Sequence, residues 1–227
     1  MWVFHPNPLA VVGPIRIGEE LGDLMSNAGF WADLSVSMQA FAIGYALAAV
    51  VAVPLGLAVG SNRILNLWLT PWINGLYATP IIGFAPLFII VFGFTLSSKI
   101  AVVVSLAIFP ILINTVSGAK AVGRDYQELA VVYRANKLET FRRVLFPGSV
   151  PFILTGLRLA IGRALIAVVV ADLFGASDGI GLRLQRAAED FDTASIYAIT
   201  VVLAFLGVVL SGLVQLWENR MYRGRTS

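Results

Sequence analysis

The sequence predicts an all-α fold, a polytopic membrane helical bundle of about five transmembrane helices. Three observations predict it. Only 13% of the 227 residues are charged, 58% are hydrophobic, and the mean hydropathy is +0.84. A soluble domain carries about a quarter charged residues. Four runs of roughly membrane-crossing length contain no charge at all, and a spanning helix needs about 20 mostly apolar residues. The basic residues are also shared unequally between the connecting segments, as expected of loops on two sides of a bilayer.

Residues 1–35 read as an extracytoplasmic segment without a signal-peptide h-region. Within it "PIRIGEELGDLMSNAGFW" has the pattern of a short amphipathic helix. The transmembrane domain then covers 36–217. Its first span is Val36–Val59. Gly44, Ala48, Ala52, Gly56 and Gly60 recur there at i+4 and form one small-residue stripe, which lets a second helix approach closely. That helix belongs either to the same bundle or to a second copy.

The second span is Pro71–Phe94 and the third Ile100–Ser117. Pro54, Pro80, Pro86 and Pro110 are expected to kink the spans that hold them. The stretch "ATPIIGFAP", with Pro80 and Pro86, is the most interrupted. Irregular backbone at membrane depth is tolerated where it is buried in protein or lines a cavity. The second span is therefore either a pathway wall or a simple kink.

The loop 118–147 follows, then the fourth span, Val150–Gly175. It carries Arg158, Arg163 and Asp172, and ionisable groups at such depth face the bundle interior. Arg158 lies near one end and can snorkel. Arg163 and Asp172 are about 13 Å apart along a helix and cannot pair with each other. Each needs a partner on another helix or contacts a solute. The fifth span is Ile196–Trp217, and 218–227 is a tail.

Placing the loop 118–147 in the cytoplasm puts ten of the sixteen basic residues inside. Arg16, Lys99, Arg183 and Arg186 fall outside, and Arg158 and Arg163 lie within a span. The N-terminus is then outside and the C-terminus inside. The net charge of +3 is accounted for by these loops, so no nucleic-acid partner is expected.

The composition also removes chemistry. There is no cysteine and one histidine, His5. "GASDG" (175–179) fits the Gly-x-Ser-x-Gly elbow of hydrolases, but no histidine follows the serine as that chemistry requires. It reads as a tight turn leaving the membrane. No phosphate-binding Gly-x-x-x-x-Gly-Lys-Ser/Thr loop occurs. Catalytic, metal and cofactor sites are all expected to be absent. A stand-alone secondary transporter or channel, using Arg163 or Asp172, remains the alternative to a transporter that borrows its energy.

The loop "ELAVVYRANKLETFRRVLFP" (128–147) is unusually charged for this chain. Leu129, Val132 and Tyr133 share one helical face, and Leu138, Phe141 and Leu145 share another. Asn136 and Glu139 have capping-box spacing. The pattern predicts two short amphipathic helices joined by a turn, the second ended by Pro147. Such a pair presents apolar ridges to a protein partner.

This loop resembles the EAA loop of ATP-binding-cassette importer permeases. That pattern runs Glu-Ala-Ala, three residues, Gly, nine residues, Ile, one residue, Leu-Pro. Here Glu128, Leu129, Ala130, Arg134, Val144, Leu145, Phe146 and Pro147 keep its spacing. "GSVPFILTGLRLAIGRALIAVVVADLFGASDGIG" and "ATPIIGFAPLFIIVFGFTLSSKI" resemble the nitrate/sulfonate/taurine branch. The resemblance covers nearly the whole chain. It implies a type I importer transmembrane domain in a bacterial or archaeal cytoplasmic (inner) membrane. It also implies a permease homodimer or heterodimer, a separate cytoplasmic ATPase subunit that binds the ATP, and an extracytoplasmic substrate-binding protein. Glu128, Leu129, Ala130, Val132, Tyr133, Arg134, Asn136 and Pro147 would form the ATPase-docking loop. The solute would be nitrate-, sulfonate- or taurine-like, or resemble a vitamin precursor.

Three departures stand out. Leu129 stands at the motif's second position, where the family usually has alanine. Arg134 replaces the glycine, where a tight turn is costlier with a side chain. The turn closes differently with help from Asn136, or the ATPase groove receives a guanidinium, or the motif has partly decayed. The branch usually has six spans and the first has no counterpart here. "FHPNPLAVVGPIRIGEELGDL" resembles the segment that follows it, as a misassigned start would produce; a five-span protein is the other reading.

Overall fold

The structure is a computed structural model that describes residues 12–122, 136–174 and 178–223. Helix α1 spans Pro14–Ser26 and α2 spans Ala28–Ser61. Pro14 sits in the first turn of α1, where its missing N–H costs nothing. Asn27 separates the two helices, and its side chain accepts from Phe30 N at 3.2 Å. The amphipathic segment is thus helical, but as a helix that ends at Ser26, its last four residues, Ala28–Trp31, opening α2 instead. Helix α2 begins eight residues before the charge-free run, because Asp33 sits inside it.

Asn62 ends α2 and caps α3, Arg63–Ala78, by accepting from Ile64 N and Leu65 N. The chain leaves the helix at Thr79–Pro80, makes a 3-10 turn at Ile81–Phe84, and enters α4, Ala85–Phe92. The two arms meet at 79°. The second span is therefore a broken pair starting at Arg63, not one rod starting at Pro71. Pro80 breaks it; Pro86 lies in the first turn of α4, a position that proline favours, so it starts a helix rather than kinking one.

Helix α5 spans Leu96–Ala121. It runs unbroken through Pro110, as α2 does through Pro54. A four-residue turn α6, Lys137–Thr140, passes into a π turn at Phe141–Leu145 and then α7, Phe146–Leu173. Pro147 does not end a helix. Residues 138–173 form one continuous helical stretch. The π turn explains this: Phe146 N reaches back to Phe141 O, and the widened turn gives the proline ring room that a regular turn denies. Helix α8, Ile180–Glu189, and α9, Thr193–Arg223, complete the chain. Among the described residues four helices (α2, α5, the stretch ending in α7, and α9) are long and apolar enough to cross a membrane, and the bent α3–α4 pair makes five when counted as one broken span.

The core is a stack in which α5 packs against α2 on one side and α7 on the other. The small-residue stripe faces α5. A Cβ added at Gly44 would lie 2.6 Å from Val103 Cβ, and one at Gly60 would lie 2.7 Å from Val116 O. The stripe is an intramolecular contact, not a dimer seam. Gly156 does the same between α7 and α5, beside Pro110 O. Lipid gives helices little hydrophobic reason to associate, so this close approach supplies dispersion contact instead. Leu57, Ala119, Leu145 and Ile153 close the core at the loop end, and Leu24, Phe30, Ile180 and Ile199 at the far end.

Helices α3 and α4 are held loosely. Helix α3 has no buried residue, and Trp68 and Trp72 are more than two-thirds exposed. Gly60→Ala should cost about 1–3 kcal/mol by overpacking against a backbone carbonyl. Gly75→Ala in α3, where a Cβ meets nothing within 4 Å, should not lower the thermal unfolding temperature in detergent and can raise it slightly, since alanine favours helix over glycine by about 0.5–1 kcal/mol. Equal melting of the two variants would contradict this packing.

Candidate functional site: a capped loop, a charge cluster and a cleft

Glu128, Leu129, Ala130, Val132, Tyr133 and Arg134 lie outside the described residues. The second half of the loop is described, and it carries the expected cap. Asn136 N donates to Glu139 Oε2 at 3.1 Å, and Glu139 N donates to Asn136 Oδ1 at 2.8 Å. Two backbone donors at a helix start are thereby satisfied reciprocally. Leu138 is 64% exposed and Phe141 39%. Leu145 is not part of that ridge, because the π turn rotates it into the core beside Leu57 and Ala119. Apolar side chains thus face outward on the loop, while the next turn anchors it to the bundle.

Asp172 finds its partners at the opposite end of α7. Its side chain is fully buried. Lys99 Nζ, from the first turn of α5, lies 2.8 Å from Oδ1. Ser37 Oγ of α2 donates to Oδ2 at 2.7 Å, and Gly181 N of α8 donates to the same oxygen at 3.2 Å. Lys99 also donates to the carbonyl and carboxylate of Asp178. Asp33 accepts from Gly179 N and from Arg183, and Ile180 N donates to Ser37 Oγ. The N-terminal N–H groups of α8 are thus capped by side chains from α2 and α7. Negative charge at a helix N-terminus is favourable.

This arrangement explains the two glycines of "DGIG" (178–181); residues 175–177 of the turn lie outside the described residues. Gly179 has φ +116°, and a Cβ there would fall 2.4 Å from Asp172 Oδ2. At Gly181 it would fall 2.3 Å from Val169 O. Only glycine lets the chain turn this closely over a carboxylate. The cluster ties four elements together and has a structural role. Sequence reasoning named Asp172 but placed Lys99 in an outer loop; Lys99 is 6% exposed. A lone lysine three residues into an apolar helix, with a lone aspartate ending another span on the same side, was the available signal.

Arg158 pairs with Glu218 near the end of α9, at the loop end of the bundle. Arg163 differs. It is exposed and makes no hydrogen bond or ion pair among the described residues. An unpaired arginine at a helix centre costs about 2.5–3.5 kcal/mol on insertion scales. Arg163 lines an open cleft of about 180 Å³ with Tyr77, Thr79, Pro80, Ile81 and Phe109. The break in the second span and the unpaired cation of the fourth therefore meet at one place. Pro80 takes part in it; Pro86 is not among the lining residues.

The Lys99–Asp172 pair can be tested by removal. Lys99→Met alone leaves a buried carboxylate without its cation and should cost about 3–5 kcal/mol. Adding Asp172→Asn removes the charge but keeps an acceptor for Ser37 and Gly181, and should recover most of that loss. Thermal unfolding of detergent-solubilised protein measures both, and no recovery in the double variant would refute the pairing.

Comparison with known proteins bears on what these features serve. The profile of the family described as "Binding-protein-dependent transport system inner membrane component" matches residues 52–223. The chain is 33% identical over 212 residues to the formylaminopyrimidine transport permease protein of Halalkalibacterium halodurans, covering 93% of this chain and 84% of the relative. It is 32% identical over 222 residues to the nitrate import permease protein of Synechococcus elongatus, covering 95% and 80%. A Bacillus subtilis protein named for aliphatic sulfonates transport is 30% identical over 94% of this chain and 78% of its own length. With four to five apolar spans and this profile, the chain belongs to the binding-protein-dependent transport inner-membrane components: it is a multi-pass permease subunit of an ATP-binding-cassette importer of the nitrate/sulfonate branch.

Proposed function

We propose that this subunit forms one half of a dimeric translocation pathway in a bacterial or archaeal cytoplasmic membrane. Loop 118–147 docks into a groove of a separate cytoplasmic ATPase, and an extracytoplasmic binding protein delivers the solute at the other end. The chain itself is non-catalytic, and ATP binds to the partner. The observation that carries this reading is mechanical. The outward ridge of Leu138 and Phe141 is joined without interruption to α7, in one helical stretch of 36 residues. At 1.5 Å per residue that is a lever of about 54 Å, running from the loop to the Asp172 cluster. Motion imposed on the loop would reach the far end of the bundle through one element. Differential docking of the loop in two ATPase states would then bias two permease states. The solute is small and belongs to the range named for the relatives: a pyrimidine, a sulfonate or nitrate.

The EAA-type residues Glu128, Leu129, Ala130, Val132, Tyr133 and Arg134 supply the first docking helix in this reading, and Asn136 caps the start of the second, which runs on through Pro147 into α7. Loss of one interface hot spot costs about 2 kcal/mol, so Glu128→Ala and Leu138→Glu should each weaken ATPase association about thirtyfold. Transport-coupled ATP hydrolysis should fall with it, while membrane insertion is kept. The measurement is co-purification of the ATPase from the native membrane, followed by hydrolysis assays. An ATPase that binds both variants as it binds the original would remove the docking role.

A further inference from the structure

We propose that the cleft at the break between α3 and α4 is a solute-contact site for an anionic oxygen group, such as a sulfonate, nitrate or carboxylate, with Arg163 reading the charge. The inference rests on the permease reading and deepens it.

The fourth span holds Arg158, Arg163 and Asp172 along α7, and Lys99 stands at the buried start of the third. Three are neutralised within the chain. Arg163 alone is left without a counter-charge among the described residues. A charge kept at membrane depth without a partner is a functional feature by default. The lining supports one sign of ligand. Tyr77 is 44% exposed and makes no hydrogen bond among the described residues, so its phenol is free to donate. No acidic side chain lines the cleft. A guanidinium and a phenol together offer donors to planar or tetrahedral oxyanions, which is the geometry that arginine suits best. The wall opposite is the break at Thr79–Pro80 between the two arms of the bent pair, and irregular backbone in a membrane is tolerated where it lines a cavity.

A lipid phosphate offers the same chemistry. It is disfavoured by depth. Arg163 lies ten residues before the end of α7, about 15 Å along the axis and about half the hydrocarbon thickness. A headgroup would have to be drawn nearly to the midplane.

The chain has no cysteine, which gives a direct test. Thr79→Cys places one thiol in the cleft of the full-length permease, purified with its ATPase and reconstituted in phosphatidylcholine vesicles. Its modification by an anionic reagent (sulfonatoethyl methanethiosulfonate) is compared with that by a cationic one of similar size (trimethylammonioethyl methanethiosulfonate). The anionic reagent should react about tenfold faster, the smallest enrichment a charged cleft usually gives. Thr79→Cys with Arg163→Gln should abolish that preference, Thr79→Cys with Arg163→Lys should keep it, and methanesulfonate should slow the anionic reagent. Comparing two reagents on one protein removes any dependence on how much of a variant folds. Equal rates, a preference that survives Arg163→Gln, or no reaction with either reagent would overturn the proposal. A preference that disappears on replacing phosphatidylcholine by phosphatidylglycerol would assign the cleft to lipid and overturn it as well. Retention of the ATPase in the same preparation shows whether the permease reading stands independently of this result.

Discussion

Asp172 is a carboxylate with no exposed surface near the end of a membrane helix, and the far end of the bundle is organised by how it is neutralised. Isolated, it would be prohibitively costly. Lys99 supplies the charge, and Ser37 and the Gly181 amide supply hydrogen bonds. These come from α5, α2 and α8, so satisfying one side chain fixes three neighbours of α7. The position of α8 follows from the same requirement. Its first N–H groups have no intrahelical partners, and Asp33, Ser37 and Asp172 provide them. The two glycines flanking Ile180 are needed because the helix must begin directly over the carboxylate.

The remainder of the bundle divides by packing. Helices α2, α5 and α7 meet through glycine and alanine at distances that exclude a larger side chain. A unit joined this way moves as a body, since packed cores deform little. The α3–α4 pair has the opposite character. It contributes Ala85 alone to the buried set, it bends by 79°, and its tryptophans face outward. A rigid three-helix body beside a lightly held, broken arm is a division suited to a pathway that must open on alternate sides. The cleft lies on the boundary between them.

Much of this was legible in the sequence, and the failures have physical causes. Charge-free runs located the spans, because lipid excludes unpaired charge. They misplaced the boundaries of α2 and α3, whose ends hold Asp33 and Arg63 at the bundle surface. Helix α8 was read as a loop because Arg186 and Glu189 face outward, Arg183 turns back to Asp33, and its apolar face is only a few residues wide. The small-residue stripe was recognised, but its partner could not be, since spacing does not say which helix fills a groove. Asn136 and Glu139 were found because a capping box is local. Lys99 was missed because its partner is 73 positions away in the chain. For Arg163 the sequence left open a partner on another helix or contact with a solute, and its isolation could be seen only once the neighbours on the described helices had been placed.

The π turn at Phe141–Leu145 inserts one residue's worth of backbone ahead of Pro147. Each residue advances a helix by about 100°, so the turn sets the phase between the outward ridge at Leu138 and every position of α7. Shortening the segment by one residue would let an ordinary helical turn close, and the ridge would then point about 100° around the axis from where it points now. The span would be untouched in composition and length. For the docking proposed above, a single-residue deletion here presents the same side chains in the wrong azimuth without removing any contact residue.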